Sequence, residues 1–393
     1  MNKLKKYIFY SFVLIICLIG ISNCSSSDSS SGNEKTFSPT KVNLSSISNL
    51  GVFDPALTFD AGINELSMSY SAVDTSLQLE SGQRVVSTRL AKSNNKGLTW
   101  TDQSVVIGDK LNVNLSYPGL PSLGVWQHEV SNLIFDPSSV NLTDRWKLFS
   151  HHYLQVKTTD PGAERRFEHG WISYKKAASP ELLASATEVK LFGAAGYNSA
   201  NDMLNGTTGS PVAGSPVINL QNLNTDLNNC LIFTEPGLLS TSINLYLSLV
   251  CVEASNYKII LLGCSQPCSV TSGWFYIRTL LQNNEANDLG YLNFSASELF
   301  SYQGDYYLAI SPEGTTGAPG IYHGCYIYKF SNLATGVLVS STTPVKKVEG
   351  AIGSFNGACS FNENSTDGFY YSEANPSATD PFQIFRVKVT PFL

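Results

Sequence analysis

The 393-residue chain carries 25 Lys and Arg against 31 Asp and Glu, a formal net charge of −6. Setting aside Lys3, Lys5 and Lys6 at its start leaves 22 basic against 31 acidic residues, about −9. That surplus of acid argues against a nucleic-acid partner and against a polybasic patch for lipid headgroups.

The first element does not belong to a fold. The three lysines precede the apolar run "YIFYSFVLIICLIGI" and the polar stretch "SNCSSSDSSSGNEK", the order of an export signal. The run is shorter than the ~20 residues that a stable membrane-spanning helix needs. With Ile21, Ser22 and Asn23 before it, Cys24 reads as the lipid-attachment cysteine of a bacterial lipoprotein, Asn23 being a departure from the usual small residue. Residues 1–23 are therefore expected to be a signal peptide and 24–40 a Ser-rich tether. Residues 41–393, which show no further linker or charge block, are expected to form one domain. The expected location is the bacterial cell envelope, at the outer membrane because Ser25 is not the aspartate that retains lipoproteins at the inner one. The membrane would be met through the lipid alone, by a monomer.

Past the tether, helix signals are almost absent. Short segments such as "ALTFD", "LSMSYSAV", "SNLIFD", "LYLSLVCVE", "YYLAIS", "CYIYKF" and "QIFRVKV" alternate, are rich in aromatic and β-branched residues, and are bounded by Gly, Asn, Asp and Pro. They predict antiparallel strands and an all-β class. Comparable strand-turn-strand units begin near Asp54, Glu129, Cys230, Ser297 and Gly357. Each has room for a four-stranded blade, which predicts a β-propeller of five blades, with six as the alternative count. The stretch "SNNKGLTW", Ser93 to Trp100, resembles the Asp-box turn of sialidase-like propellers with Asn95 in place of the aspartate. That turn is structural wherever it occurs, so it speaks to fold and not to catalysis.

In a propeller, the innermost strand of each blade starts at one rim of the central cavity, so carboxylates at strand mouths converge. "VFDPALTFDAG" places Asp54 there, "WQHEVSNLIFDP" places His128 and Glu129, and "IFTEPGLL" places Glu235. An isolated charge at such a point must be solvated, paired or used. These positions resemble those of the five-bladed glycosidases of the arabinanase and xylosidase type. The resemblance implies Asp54 as base, Glu129 as the acid's tuner and Glu235 as the general acid, acting on a carbohydrate substrate. It departs from that group in offering "HEV" where an aspartate is usual, and in Ser295 where "FSASELFSYQGDYYLAIS" echoes the acid motif. Cleavage of a glycoside needs one carboxyl protonated and one ionised near neutrality. Pro236 is expected to hold Glu235 in extended backbone, and the charges of Asp54 and Glu129 to raise its pKa.

Against this stands the packing reading: Asp-Pro is a common turn former, as at Asp54 and Asp136. The acids could also simply pair with Arg165, Arg166 or His128, or those cations could hold an acidic sugar. His169 and Trp171 in "FEHGWISYKKA" extend this set, with Trp171 a candidate surface for stacking on a sugar ring. His151 and His152 occupy alternate faces of one strand, so at most one points into any site. His323 lies near the start of a blade-four strand, where related propellers hold a central histidine near a bound cation. No cofactor is expected, a central Ca2+ being the cation the resemblance allows.

Six further cysteines follow Cys24: Cys230, Cys251, Cys264, Cys268, Cys325 and Cys359. In an exported chain an even count predicts disulfides, of which fifteen pairings exist. A hairpin can bring Cys230 opposite Cys251. Cys264 with Cys268 closes a small loop and leaves Cys325 for Cys359. No second Cys/His pair completes a zinc site.

Overall fold

The computed structural model describes residues 38–45, 51–78, 84–108, 113–114, 123–156, 165–193, 216–254, 256–315, 318–348, 350, 355–374 and 382–389. The expected signal peptide and nearly all of the expected tether lie outside them.

The strands form five sheets in chain order, antiparallel except where Ile218–Asn219 and Leu44–Ser45 add parallel edges. Their inner strands are Val52–Asp60, Leu123–Phe135, Ile232–Ser240, Asn293–Tyr302 and Phe355–Phe361. Each packs against the inner strand of the next sheet, and the last packs against the first, so the five close a ring. The buried apolar residues divide the same way, into one cluster at each of the five interfaces. Leu90, Val106, Leu133 and Leu148 lie between blades one and two, and Phe149, Phe192, Phe233 and Leu247 between two and three. Tyr246, Leu261, Phe294 and Leu308 lie between three and four, Phe300, Ile327, Phe361 and Phe369 between four and five. Met68, Tyr70, Trp100, Tyr370 and Ile384 lie between five and one. The chain is a five-bladed β-propeller, and a strand such as Asn244–Val252 reads as apolar along its length because both its faces are buried.

The ring is closed without a covalent link. Thr40–Lys41, from the N-terminal side, adds the outer strand of blade five beside Phe382–Lys388, and Leu44–Ser45 pairs with Trp100–Thr101 of blade one. The Ser93–Trp100 turn supports the same seam. Ser93 Oγ accepts from the Gly97 amide at 2.8 Å and Asn95 Oδ1 from the Thr99 amide at 2.9 Å. Gly97 has φ +82°, and a Cβ there would fall 2.1 Å from the Tyr370 hydroxyl of blade five, so only glycine meets both demands.

Three disulfides join Cys230 to Cys251, Cys264 to Cys268 and Cys325 to Cys359. The last ties the third strand of blade four to the inner strand of blade five.

Asp136 is a structural anchor on the face away from the strand mouths. Its carboxylate takes Lys147 Nζ at 2.8 Å, Ser240 Oγ at 2.8 Å and Gln266 Nε2 at 2.9 Å, linking blades two and three.

Candidate active site

Every inner strand slips register against its neighbour at the same height, between Phe53/Ala56, Glu129/Asn132, Thr234/Gly237, Ser295/Glu298 and Gly357/Ser360. Inside each slip one non-glycine residue takes positive φ: Asp54 (53°), Val130 (52°), Glu235 (55°), Ala296 (52°) and Ala358 (50°). Such backbone costs of order 1–3 kcal/mol per residue and bulges re-aim side chains. Two of the five positions carry an acid followed by proline, Asp54-Pro55 and Glu235-Pro236. Glu235 is therefore not in the extended backbone expected from Pro236. The bulge leaves Glu235 and Pro236 without cross-strand partners, so the left-handed turn costs no ladder hydrogen bond at the proline.

The amide freed at each bulge needs an acceptor, and at four of the five the preceding blade supplies it. Val130 N donates to Ser71 Oγ at 3.0 Å, Ala358 N to Ser311 Oγ at 2.9 Å and Asp54 N to Ser372 Oγ at 2.7 Å. These serines are cross-strand partners of Phe53, Ser295 and Gly357. In blade three the corresponding residue, opposite Thr234, is Val250, which accepts nothing. There the Glu235 carboxylate takes the serine's part: Oε2 accepts from the Ala296 amide and from Ser295 Oγ at 2.7 Å, and Oε1 from the Tyr322 hydroxyl at 3.1 Å. In blade two the place is held by His151, whose Nδ1 lies 2.9 Å from Thr234 Oγ1.

Asp54, Glu129 and Glu235 are 6, 5 and 0% exposed, and their charges act on one another. Burial, then Glu129 and Glu235, raise Asp54 well above the usual carboxylate range, while Ser71 and the Val130 amide favour its ionised form. Ser71 Oγ lies 3.1 Å from Asp54 Oδ2. Glu235 is raised to about 7. Burial is the main cause and the Glu129 charge a lesser one, so desolvation outweighs the like-charge repulsion expected to dominate. The three donors on Glu235 act the other way. Coupled carboxyls of this kind titrate as a set rather than singly.

The other candidate residues do not join this group. His128 and Trp171 are enclosed in blade two. The His128 and His152 rings lie 3.9 Å apart, Trp171 packs on Trp126 and His152, and Lys190 Nζ sits 4.1 Å above its ring. A tryptophan covered on this scale has no face to offer a sugar, so the packing reading of Trp171 replaces the stacking one. The two nitrogens of His128 have no hydrogen-bond partner, and burial first holds it well below its ordinary pKa, so it is not a cation beside Glu129. Arg165, Arg166 and His169 lie on the strand Arg165–Ala177, but their side chains are outside the described residues. His323 packs on Tyr291, ring centroids 5.1 Å apart, while its neighbour Tyr322 reaches Glu235.

Just past the bulges the axis narrows to a cavity lined by Asp54, Asn132, Pro236, Ala296, Glu298 and Cys359, among others. Glu298 in its wall accepts at Oε2 from Asn132 Nδ2 and at Oε1 from Ser360 Oγ at 3.2 Å. Burial raises Glu298 well above the carboxylate range. Gly237 is fixed by close approach, since a Cβ would fall 2.6 Å from the Ser297 carbonyl oxygen of blade four. Sequence reading missed Glu298, Glu313 and Tyr322. Glu298 directly follows the "SAS" mouth of blade four, at the height of Asn132, where a strand-mouth search does not look. Among the described residues the one grouping with metal-ligand spacing is Cys230, Cys251 and Glu253, and its sulfurs are spent in a disulfide.

Similarity searches returned solved structures of glycoside-hydrolase propellers. A GH32 β-fructofuranosidase of Bombyx mori is 12% identical, with TM-score 0.48 over 89% of this chain and 60% of that one. A family 117 glycoside hydrolase of the marine bacterium Zobellia galactanivorans is 10% identical, with TM-score 0.48 over 90% of each chain. An α-L-arabinofuranosidase of Lactobacillus brevis is 13% identical, with TM-score 0.48 over 87% of this chain and 92% of that one. No family model matches the chain, and no curated protein matches it either.

Proposed function

We propose that this chain is a carbohydrate-active enzyme that hydrolyses a glycosidic bond at the strand-mouth end of the propeller axis. The observation that carries this reading is the meeting of Asp54, Glu129 and Glu235, from three successive blades, close enough that Glu129 raises the pKa of both others and Glu235 that of Asp54, with two of the three on strained bulges. Strain of this kind is retained where a side chain must be aimed. Glu235, raised to about 7, is in the range for a general acid. In this scheme Asp54, whose carboxyl is held by Ser71 and the Val130 amide while burial and its acidic neighbours raise its pKa, is the base or nucleophile, and Glu129 sets the acid's pKa. The leaving-group oxygen takes the proton from Glu235 as the glycosidic C–O bond breaks. We further propose that the enzyme is an exported lipoprotein, held through Cys24 at the outer membrane as a monomer. That part rests on the charged, apolar and Ser-rich order of residues 1–35.

A second reading has its own observation. Glu235 is fully buried and caps the Ala296 amide where other blades use serine, which suits a non-catalytic propeller that binds a glycan or a host macromolecule. A screen of chromogenic aryl-glycosides with a Glu235→Gln control separates the two. The enzyme reading expects loss of about 10²–10⁴-fold on substrates with poor leaving groups and far less on activated ones. Unchanged turnover in the variant, or glycan-array binding with no turnover of any glycoside, favours the binding module.

A further inference from the structure

A further carboxyl, unmarked by motif or strand-mouth spacing, lies within reach of the Glu235 charge. Glu313, on the second strand of blade four, is 1% exposed, and neither of its oxygens has a hydrogen-bond partner. Its cross-strand neighbours show its setting: Asn293 on one side and Tyr322 on the other. Tyr322 is the residue whose hydroxyl donates to Glu235 Oε1 at 3.1 Å. Ser295 lies beside both carboxyls. A hydroxyl has one proton to give, and Ser295 gives it to Glu235 Oε2 at 2.7 Å. Glu235 thus takes three donors, while the one hydroxyl that acts on Glu313 to favour its ionised form is that same Ser295, already given to Glu235.

That asymmetry decides where a shared proton rests. Hydrogen bonds to a carboxylate favour its ionised form, and a buried carboxyl without them stays neutral. The titratable groups facing Glu313 are Glu235 from the inner strand of blade three, Tyr257 from its third strand, and Tyr322 from blade four. No cation appears among the groups acting on it. Burial first and the Glu235 charge second raise it to about 8.

We propose that Glu313 is a positioning residue that stores a proton for Glu235 and passes it through Ser295. The inference rests on the reading of Glu235 as general acid. In the resting site Glu313 is the carboxylic acid and Glu235 the carboxylate. The Glu313 proton moves to Ser295 Oγ as the Ser295 proton moves to Glu235 Oε2, leaving Glu235 protonated, Glu313 ionised and the serine hydroxyl turned toward Glu313. Glu235 then protonates the leaving-group oxygen, which departs with the C–O bonding pair as an alcohol. The attacking water sheds a proton to the site's base, and solvent restores the proton to Glu313 before the next turnover.

The test uses the full folded chain and two readouts. In the kcat/KM pH profile on an aryl-glycoside with a poor leaving group, Glu313→Gln is expected to move the basic limb down by about one pH unit, because the upper proton of the pair is gone. By infrared difference spectroscopy, a protonated-carboxyl component that titrates near pH 8 in the native protein is expected to vanish in Glu313→Gln and persist in Glu235→Gln. An unmoved limb, or an infrared component that survives in Glu313→Gln, overturns the proposal. If Glu235→Gln loses no activity, the general-acid reading fails instead, whatever the infrared result.

Discussion

The Ala296 amide of blade four donates to the Glu235 carboxylate of blade three, at the point where three other bulge amides donate to serine hydroxyls. One side chain thus closes the inner ring and stands in the proposed catalytic set. Glu235→Ala removes the only acceptor for a buried amide and should cost about 1–3 kcal/mol. Glu235→Gln keeps an amide oxygen there and should cost clearly less. Urea unfolding of the two variants checks the order.

The same geometry predicts a rescue. Val250 stands where blades one, four and five place Ser71, Ser311 and Ser372. Val250→Ser alone loses apolar burial and should destabilise. Combined with Glu235→Ala it returns an acceptor to Ala296, so the double variant should be more stable than the sum of the two by about 1 kcal/mol or more. A double-mutant cycle measures this coupling, and strict additivity would mean that the hydroxyl does not reach the amide.

The buried carboxyls should make stability fall as pH rises above the histidine range. Glu235 and Glu313 have folded pKa values of about 7 and 8 against an ordinary 4.5, so they bind more protons folded than unfolded between roughly pH 4.5 and 8. Buried His128, His151 and His152 are held below their ordinary 6.5 and oppose this at lower pH. Above about pH 6.5 the derivative of unfolding free energy with pH is negative, and it levels off past pH 8. Thermal unfolding at pH 7 and pH 9 should show the lower Tm at pH 9. Glu313→Gln should shrink the difference by about 1–3 kcal/mol.

The inter-blade disulfide should matter on its own. Cys325 and Cys359 are 34 residues apart, and closing such a loop stabilises by about 3–4 kcal/mol in the chain-entropy account. The Cys325→Ala, Cys359→Ala pair of substitutions should lower the urea midpoint accordingly. Non-reducing peptide maps should show the other two bridges intact.

At the N-terminus, Cys24→Ser should move the protein from the detergent phase to the aqueous phase of a detergent partition. Unchanged partitioning would place any anchor elsewhere.

Strand alternation, turn residues and the spacing of five similar units made the all-β class and the blade count readable from the sequence, because each blade repeats the same local physics. The strand mouths at Asp54, Glu129 and Glu235 were readable for the same reason: a charge interrupts an apolar run. The cysteine pairing followed from hairpin reach and elimination among six residues. What only the tertiary structure decided lies in contacts between blades. Trp171 and His128 share their strands with exposed-looking polar residues, yet neighbouring strands enclose them. Glu313 sits mid-strand in "AISPEGT" and becomes a partner of Glu235 only because Tyr322 and Ser295 meet both. The left-handed residues Val130, Ala296 and Ala358 are not glycines that would announce the bulges. They form because the amides they free find acceptors on the blade before, a satisfaction that depends on the closed ring and on no local sequence.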